Sequence, residues 1–192
     1  MGVVYLGDEC IGEMCTSYIP NITNTVINVL KNPISRYIVE EDGFVTTIAG
    51  DVTGTFDDAL TIGDYGLFNA LFRCTGLTGS VSFPNLTSVG IWGLRGIFYE
   101  CTGLTGSVSF PKLATIGDNG LNCSFYGCTK LTGSVSFPKL TSVGDRVLYN
   151  AFYNCTLLTE IHFRADMQAT IEAQYGYSSK FGATNATIYF DL

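Results

Sequence analysis

Apolar residues recur along this chain every 27 positions, and the recurrence is clearest at four cysteines. Cys74, Cys101, Cys128 and Cys155 each follow an apolar-aromatic pair by two positions. The first three precede near-copies of one stretch, TGLTGSVSFPNLTSVG, TGLTGSVSFPKLATIG and TKLTGSVSFPKLTSVG. A fixed period of this length is typical of stacked units that bury their apolar sides together. The sequence therefore predicts a repeat solenoid with coils of about 27 residues.

Within each coil, apolar and polar positions alternate over a short stretch. Leu131, Val135 and Phe137 are expected to point inward and the serines between them outward, which is the two-residue period of a β-strand. Proline ends each stretch, and a glycine soon after it turns the chain. Coils stacked at about 4.8 Å predict one parallel sheet of about five short strands from near Val52 to Phe190.

The two ends of the repeat pattern predict caps. A degenerate coil precedes the first clear one, and the last coil is one residue shorter than the others. Residues 165–175 are predicted to form a short helix with Met167, Ile171 and Tyr175 on one face, followed by a closing strand. The predicted organisation is an N-terminal cap or attachment segment (1–44), a repeat region (45–163) and a C-terminal cap (164–192).

The repeat text resembles a known family. Phe-Tyr-x-Cys-Thr-x-Leu-Thr followed by Phe-Pro-x-Leu-Thr-Ser-Val-Gly-Asp is similar to the BspA-type leucine-rich repeats of bacterial surface proteins, which also occur in phage-like proteins. Those repeats run about 23 residues, and this chain carries about four extra between the Ile-Gly or Val-Gly turn and the Phe-Tyr pair. The resemblance covers residues 56–163. It implies a right-handed leucine-rich-repeat solenoid with adhesion or host-contact functions, and it transfers no catalytic residues.

Composition and charge limit the classes of partner that are expected for this chain. Apolar residues make up 46% of the chain and charged residues 14%, which excludes disorder. The net charge is −7, and residues 1–64 hold ten Asp and Glu against Lys31 and Arg36, so a nucleic-acid partner is not expected. The uncharged run 14–30 is rich in Asn and Thr and predicts no membrane span. No signal peptide is visible, so the protein is expected either to stay inside a cell or to leave it by lysis, within a virion or after removal of a missing leader. Of these, a virion or the cell exterior is favoured.

The cysteines and the single histidine give little indication of a disulfide, metal or catalytic site. Cysteines one repeat apart on adjacent coils have parallel Cβ atoms near about 4.8 Å, beyond the roughly 3.8 Å of a disulfide, so this row is predicted to be buried and reduced. Without a CxxC pair, no metal site is expected, and no cofactor is implied. Whether Cys10 and Cys15 pair stays open. His162 replaces an outward serine and has no recognisable Ser or Cys partner motif, which argues against a catalytic role.

Binding residues are sought where the repeats differ from one another. The stretch after each glycine turn varies most, and stacking predicts two columns of variable side chains: Tyr65, Trp92, Asn119 and Arg146, then Phe68, Arg95, Asn122 and Tyr149. Aromatic and arginine side chains on a fixed frame are typical interface anchors, with Trp92 the best single candidate. The alternative is relaxed drift on a solvated edge. The repeated outward serines offer a second surface, suited to a periodic partner such as a glycan or another sheet.

These observations favour a non-catalytic module that holds a surface. The expected setting is a virion (phage tail or decoration) or a bacterial surface, with a protein or glycan partner and possible homo-oligomerisation through residues 1–44. A secreted adhesin is the main alternative, and an accessory domain of an enzyme is a remote one.

Overall fold

The computed structural model describes residues 40–41, 44–45, 49–51, 56–57 and 59–192. Most of the predicted attachment segment, with Cys10 and Cys15, and the expected first strand position at Val52 lie outside these residues. The strands are β1 (Glu40–Glu41), β2 (Phe44–Val45), β3 (Ala49–Asp51), β4 (Thr61–Ile62), β5 (Gly76–Thr78), β6 (Val81–Ser82), β7 (Ser88–Val89), β8 (Gly106–Ser109), β9 (Thr115–Ile116), β10 (Leu131–Phe137), β11 (Ser142–Val143), β12 (Leu158–Phe163) and β13 (Thr187–Phe190). The helical elements are a 3₁₀ helix (Ala165–Met167), the α-helix α1 (Gln168–Glu172) and a second 3₁₀ helix (Tyr177–Gly182).

The fold consists mostly of short parallel strands in two main sheets. One sheet has five strands in the order β13-β12-β10-β8-β6, and the other has four in the order β11-β9-β7-β4. Their registers follow the sequence period, since Val81 pairs with Val108 and Val108 with Val135, each exactly one repeat further along the chain. The step from Val135 to its partner Ile161 is shorter by a single position, as the shorter last repeat requires. A parallel sheet of about five strands was predicted, but it begins at Val81 instead of near Val52, because β3 pairs with β5 in a separate two-stranded sheet. The four-stranded sheet was not predicted.

The inward and outward assignments of the strand residues are confirmed. Leu131, Val135 and Phe137 are fully buried, while the serines between them are partly exposed. Alternation arises because successive side chains of a strand point to opposite faces. Two phenylalanine rows stack through the core, with ring centroids 5.3 to 5.7 Å apart between neighbouring repeats: Phe83, Phe110, Phe137 and Phe163, then Phe98, Phe125 and Phe152. The leucine row is buried as well: Leu67, Leu94, Leu121 and Leu148.

Each repeat also contains a run of consecutive turns, residues 63–74, 90–101, 117–128 and 144–155, which we call the turn segments. Along the first one, alternate N–H groups donate to the carbonyl three residues earlier in the same repeat. The N–H groups between them donate to carbonyls of the next repeat, at 2.6 to 3.0 Å. Neighbouring turn segments are thus joined by a ladder of backbone hydrogen bonds, as strands are. This ladder fixes the side chains of the variable stretch in columns.

The C-terminal cap differs in part from its prediction. Met167 and Ile171 are buried, as expected for the inner face of the short helix. The prediction for Tyr175 was wrong, because α1 ends at Glu172 and the Tyr175 side chain is 61% exposed. The second 3₁₀ helix buries Phe181, whose carbonyl accepts a hydrogen bond from the N–H of Phe152 at 3.0 Å. The cap therefore replaces part of the missing next repeat.

Candidate functional site

The variable side chains lie in two adjacent columns on the turn segments. The first column is Tyr65, Trp92, Asn119 and Arg146, and the second is Phe68, Arg95, Asn122 and Tyr149. The backbone beneath the first column is continuous, since the N–H of Tyr65 donates to Ile91, that of Trp92 to Asp118 and that of Asn119 to Asp145 at 2.8 to 3.0 Å. The structure therefore brings the eight positions proposed from the sequence together on the turn segments. Six of the side chains are exposed or half-exposed, whereas Arg95 and Asn122 are buried.

An aromatic cluster forms at the N-terminal end of the columns. The Tyr65 ring stacks on Trp92 with centroids 5.8 Å apart, and the Phe68 ring lies 5.8 Å from Trp92. The Arg95 guanidinium carbon lies 4.0 Å from the centre of the Trp92 ring and 5.7 Å from that of Phe68, within range of a cation–π attraction. Arg95 is only 7% exposed, so it supports the rings from beneath.

The rings of this cluster differ in how far they are exposed to solvent. Trp92 is half-buried among three side chains, whereas Tyr65 is 59% exposed. A side chain that anchors an interface needs exposed surface for its partner. Much of the Trp92 surface is already covered by Tyr65, Phe68 and Arg95. Tyr65 is therefore the more exposed ring of the cluster, and Trp92 packs against it.

The middle of the columns is polar. Asn122 is 6% exposed, and its Nδ2 donates to Oδ1 of Asn119 at 2.8 Å. Beside the first column, Oδ1 of Asp118 accepts the N–H of Asp145 at 2.9 Å, and Oδ1 of Asp64 accepts the N–H of Ile91 at 2.7 Å. The two aspartate contacts each join adjacent repeats, so these carboxylates are held as firmly as the backbone.

A second aromatic and cationic cluster closes the C-terminal end. The Arg146 guanidinium carbon lies 5.4 Å from the Tyr175 ring centre, and the Tyr149 and Tyr175 rings are 5.0 Å apart. Sequence analysis missed Tyr175 as a member of this surface, because the predicted helix placed it on the buried face. The α-helix ends at Glu172, three residues before Tyr175, and Gly176, with a φ of +93°, is the N-cap of the second 3₁₀ helix.

The backbone of the first column is unusual for the side chains it carries. Tyr65, Trp92, Asn119 and Arg146 have φ values of 55°, 57°, 54° and 50°. This left-handed region suits glycine and asparagine and disfavours large side chains. Asn119 fits the expectation, while the tyrosine, tryptophan and arginine do not. Tyrosine, tryptophan and arginine therefore occupy positions where glycine or asparagine would relieve backbone strain.

A further aromatic row was not recognised as a surface feature. Phe72, Tyr99, Tyr126 and Tyr153 stack face to face with centroids 4.5 to 4.7 Å apart. Beside it, Arg73 Nε donates to Glu100 Oε2 at 2.7 Å across two repeats. Burial and the neighbouring Tyr153 raise the pKa of the Tyr126 phenol. The faces of these rings are covered by the neighbouring rings of the row. The row therefore links adjacent repeats and leaves little ring face for a ligand.

The cysteine row is buried, as predicted. The thiols of Cys101, Cys128 and Cys155 donate to the backbone carbonyls of Leu71, Phe98 and Phe125 in the preceding repeats, each at 3.0 Å. Burial raises the pKa of Cys155 to about 12, and that of Cys128 well above its ordinary value. Thiolates, which are the reactive and metal-binding form, are therefore disfavoured here. Among the residues that the structure describes, no group of three or more His, Cys, Asp or Glu is arranged to hold a metal ion.

His162 lies on the outer strand face between two carboxylates. Its Nδ1 is 2.9 Å from Asp191 Oδ1, its Nε2 is 3.2 Å from Glu160 Oε2, and its ring stacks on Tyr189 at 4.9 Å. Burial lowers the pKa of His162, but the hydrogen bonds to Asp191 and Glu160 outweigh it, so the pKa is raised. Ser136 is its register neighbour. Because both ring nitrogens face carboxylates, neither is placed to activate that serine.

Comparison with protein-family models, with curated proteins and with solved structures found no match to this chain. In the described part of the chain, no helix is long and apolar enough to span a membrane.

Proposed function

We propose that this chain is a non-catalytic binding and structural module that holds a protein or glycan surface through its variable columns. Its frame would be a leucine-rich-repeat solenoid of the BspA type. Parallel strands that pair in register with the sequence repeat support this frame, as do the turn segments that join repeats by backbone hydrogen bonds. The setting that we propose is a virion, as a phage tail or decoration component, or a bacterial surface.

One observation carries the binding role: the first column keeps large side chains on left-handed backbone. Placing a non-glycine residue there costs about 1 to 2 kcal/mol relative to right-handed backbone. Strain of this kind tends to persist at functional sites, where the side chain itself is needed. Asn119 shows that the backbone accepts a residue better suited to this geometry. The turn segments have the same left-handed backbone at Arg73 and Glu100, where the two side chains pair with each other at 2.7 Å. The exposed side chains of the column that are large, Tyr65 and Arg146, are the ones for which we propose contacts with a partner.

The proposal is tested with a column variant that should keep the fold. Tyr65→Asn with Arg146→Asn places at both positions the residue that the same column already carries at 119. The control is Tyr153→Asn with Lys139→Asn, which changes two exposed side chains away from the columns. Fluorescently labelled proteins are applied to a panel of intact bacterial cells, and retained signal is measured after washing.

We expect wild type and control to be retained on at least one cell type and the column variant to be lost, with a decrease of at least about tenfold. Equal retention of all three proteins, or retention of none of them, would count against a binding role for these columns. A urea unfolding midpoint of the column variant that is no lower than that of wild type establishes that any loss concerns contact and not folding.

A further inference from the structure

The two columns expose aromatic rings only at their ends. Tyr65, at the N-terminal end, is 59% exposed, and Tyr175, at the C-terminal end, is 61% exposed. Each ring is backed by others, Tyr65 by Trp92 and Tyr175 by Tyr149. Three to four repeat steps at about 4.8 Å place them about 14 to 19 Å apart. A ligand that contacts both rings must therefore be extended.

Between the rings, the exposed groups are polar except Ile91, which precedes Trp92 and is 42% exposed. Asp118, Asp145 and Arg146 are exposed, and Asn119 is half-exposed. Asp118 has a second carboxylate oxygen beyond the one bonded to the backbone, and Asn119 has an Nδ2 for which the described residues supply no acceptor. These groups offer both donors and acceptors to a ligand that lies across the repeats.

The arrangement of aromatic and polar groups on this surface is the reverse of that at a protein–protein interface. Protein–protein contacts have an apolar centre with aromatic anchors, surrounded by a polar rim. Here the aromatic rings are at the ends and the polar groups in the centre. A chain of sugars matches such an order, because each pyranose ring combines a face of C–H groups, which packs on an aromatic ring, with a rim of hydroxyls, which hydrogen-bond to amide and carboxylate groups.

Charge selects among glycans. Three aspartates border the first column, Asp64, Asp118 and Asp145, against one exposed cation, Arg146, whose guanidinium lies near Tyr175. These carboxylates repel uronate and sulfate groups close to the first column. The surface favours an uncharged chain.

From the two end rings and the polar centre, we infer that the columns bind an extended neutral polysaccharide that lies across the repeats, stacking one sugar on Tyr65 and another on Tyr175. This inference rests on the proposed binding function and specifies its ligand class.

The first arm of the test uses cells that retain the wild-type protein. Periodate, which cleaves vicinal diols of sugars, and proteinase K are applied separately to these cells before labelled protein is added. We expect periodate to abolish retention and proteinase K to preserve it. Retention that survives periodate and is lost after proteinase K would identify a protein partner and overturn the glycan inference, while leaving the proposed binding function intact. If the column double variant is retained like wild type, the proposed function itself fails.

The second arm measures affinity for an array of purified polysaccharides, with dextran, laminarin and galactomannan as neutral probes and heparin and polygalacturonate as anionic ones. Tyr65→Asn and Tyr175→Asn should each weaken binding to the retained neutral probe at least about tenfold, and Tyr153→Asn less than about twofold. Since Tyr65 stacks on the single tryptophan, a bound neutral chain should also change the Trp92 emission. Preference for an anionic probe, no retained neutral probe, or dependence on one ring alone would contradict the inference.

Discussion

The buried phenylalanine row and the first column share the same repeat spacing and have opposite compositions. Phe83, Phe110 and Phe137 stack in nearly parallel planes, 8° to 9° apart, with the same residue above and below the middle ring. The first column places tyrosine, tryptophan, asparagine and arginine on equally regular backbone. The space between two phenylalanine rings in the core fits only another ring of the same shape, so the residue type there is constrained. A side chain that faces solvent is not constrained in this way, because the backbone hydrogen bonds beneath it do not depend on the residue type. Uniform rows therefore hold the stack together, and the variable column contains what is particular to this chain.

The largest expected effect is in the buried row. Phe110→Ala should lower the free energy of unfolding by about 3 to 5 kcal/mol, because it leaves a cavity between Phe83 and Phe137. Ser109→Ala, one position away on the outer face, should cost well under about 1 kcal/mol. Urea unfolding of both variants measures the contrast, and equal losses would show that the row does not carry the stability.

Arg95 tests whether the column depends on a buried support. Arg95→Met keeps the aliphatic length but removes the cation over Trp92, and it should lower the free energy of unfolding by about 1 to 2 kcal/mol. The Trp92 emission should shift to longer wavelength and become easier to quench with acrylamide as the ring loosens. Arg73→Met is the matched control, since it breaks an exposed ion pair with Glu100 worth less than about 1 kcal/mol. An unchanged Trp92 emission in the Arg95 variant would rule out the supporting role.

Backbone strain in the column can be measured by comparing glycine with alanine at one position. Arg146→Gly should be more stable than Arg146→Ala by about 1 kcal/mol, because only glycine adopts a φ of 50° without cost. At exposed Lys139, which has no positive φ, the order should invert by about 0.4 to 1 kcal/mol, since alanine restricts the unfolded chain. The same order at both positions, measured in urea, would contradict strain in the column.

The smallest effect concerns the outer strand face at the C-terminal end. The folded-state pKa of His162 is raised, so the stability that its carboxylate pairs contribute is fully present below about pH 6.5 and is lost as the pH rises through the folded pKa. Because both carboxylates are partly exposed, the contribution should be below about 1 kcal/mol. His162→Gln should therefore be less stable than wild type near pH 5.5 and nearly equal to it near pH 8. A constant difference across this range would show that the titration of His162 is not involved.

Features that depend on one repeated residue were predictable, and features that depend on hydrogen bonds between repeats were not. The inward leucines, the buried cysteines and the parallel register follow from the period and from strand alternation. The turn segments do not, because their N–H groups alternate between two repeats and leave no local apolar pattern. Arg73 and Glu100 occupy left-handed backbone without a glycine or asparagine to mark the turn. Tyr175 was misplaced for a related reason, since nothing in its i, i+4 spacing shows that α1 ends at Glu172.

The ladder between turn segments has a consequence for how such a chain can change length. Each repeat donates N–H groups to carbonyls of its successor, and its own equivalent carbonyls accept N–H groups of its predecessor, so the junctions are interchangeable. Duplicating residues 90–116 should insert one new unit, adding a position to every column while leaving both termini as they are. An insertion of any other length within a turn segment would shift each donor away from its acceptor. Duplication of whole repeats therefore lengthens this surface and supplies new positions whose side chains can vary. Shorter insertions fit only at the ends of the repeat region.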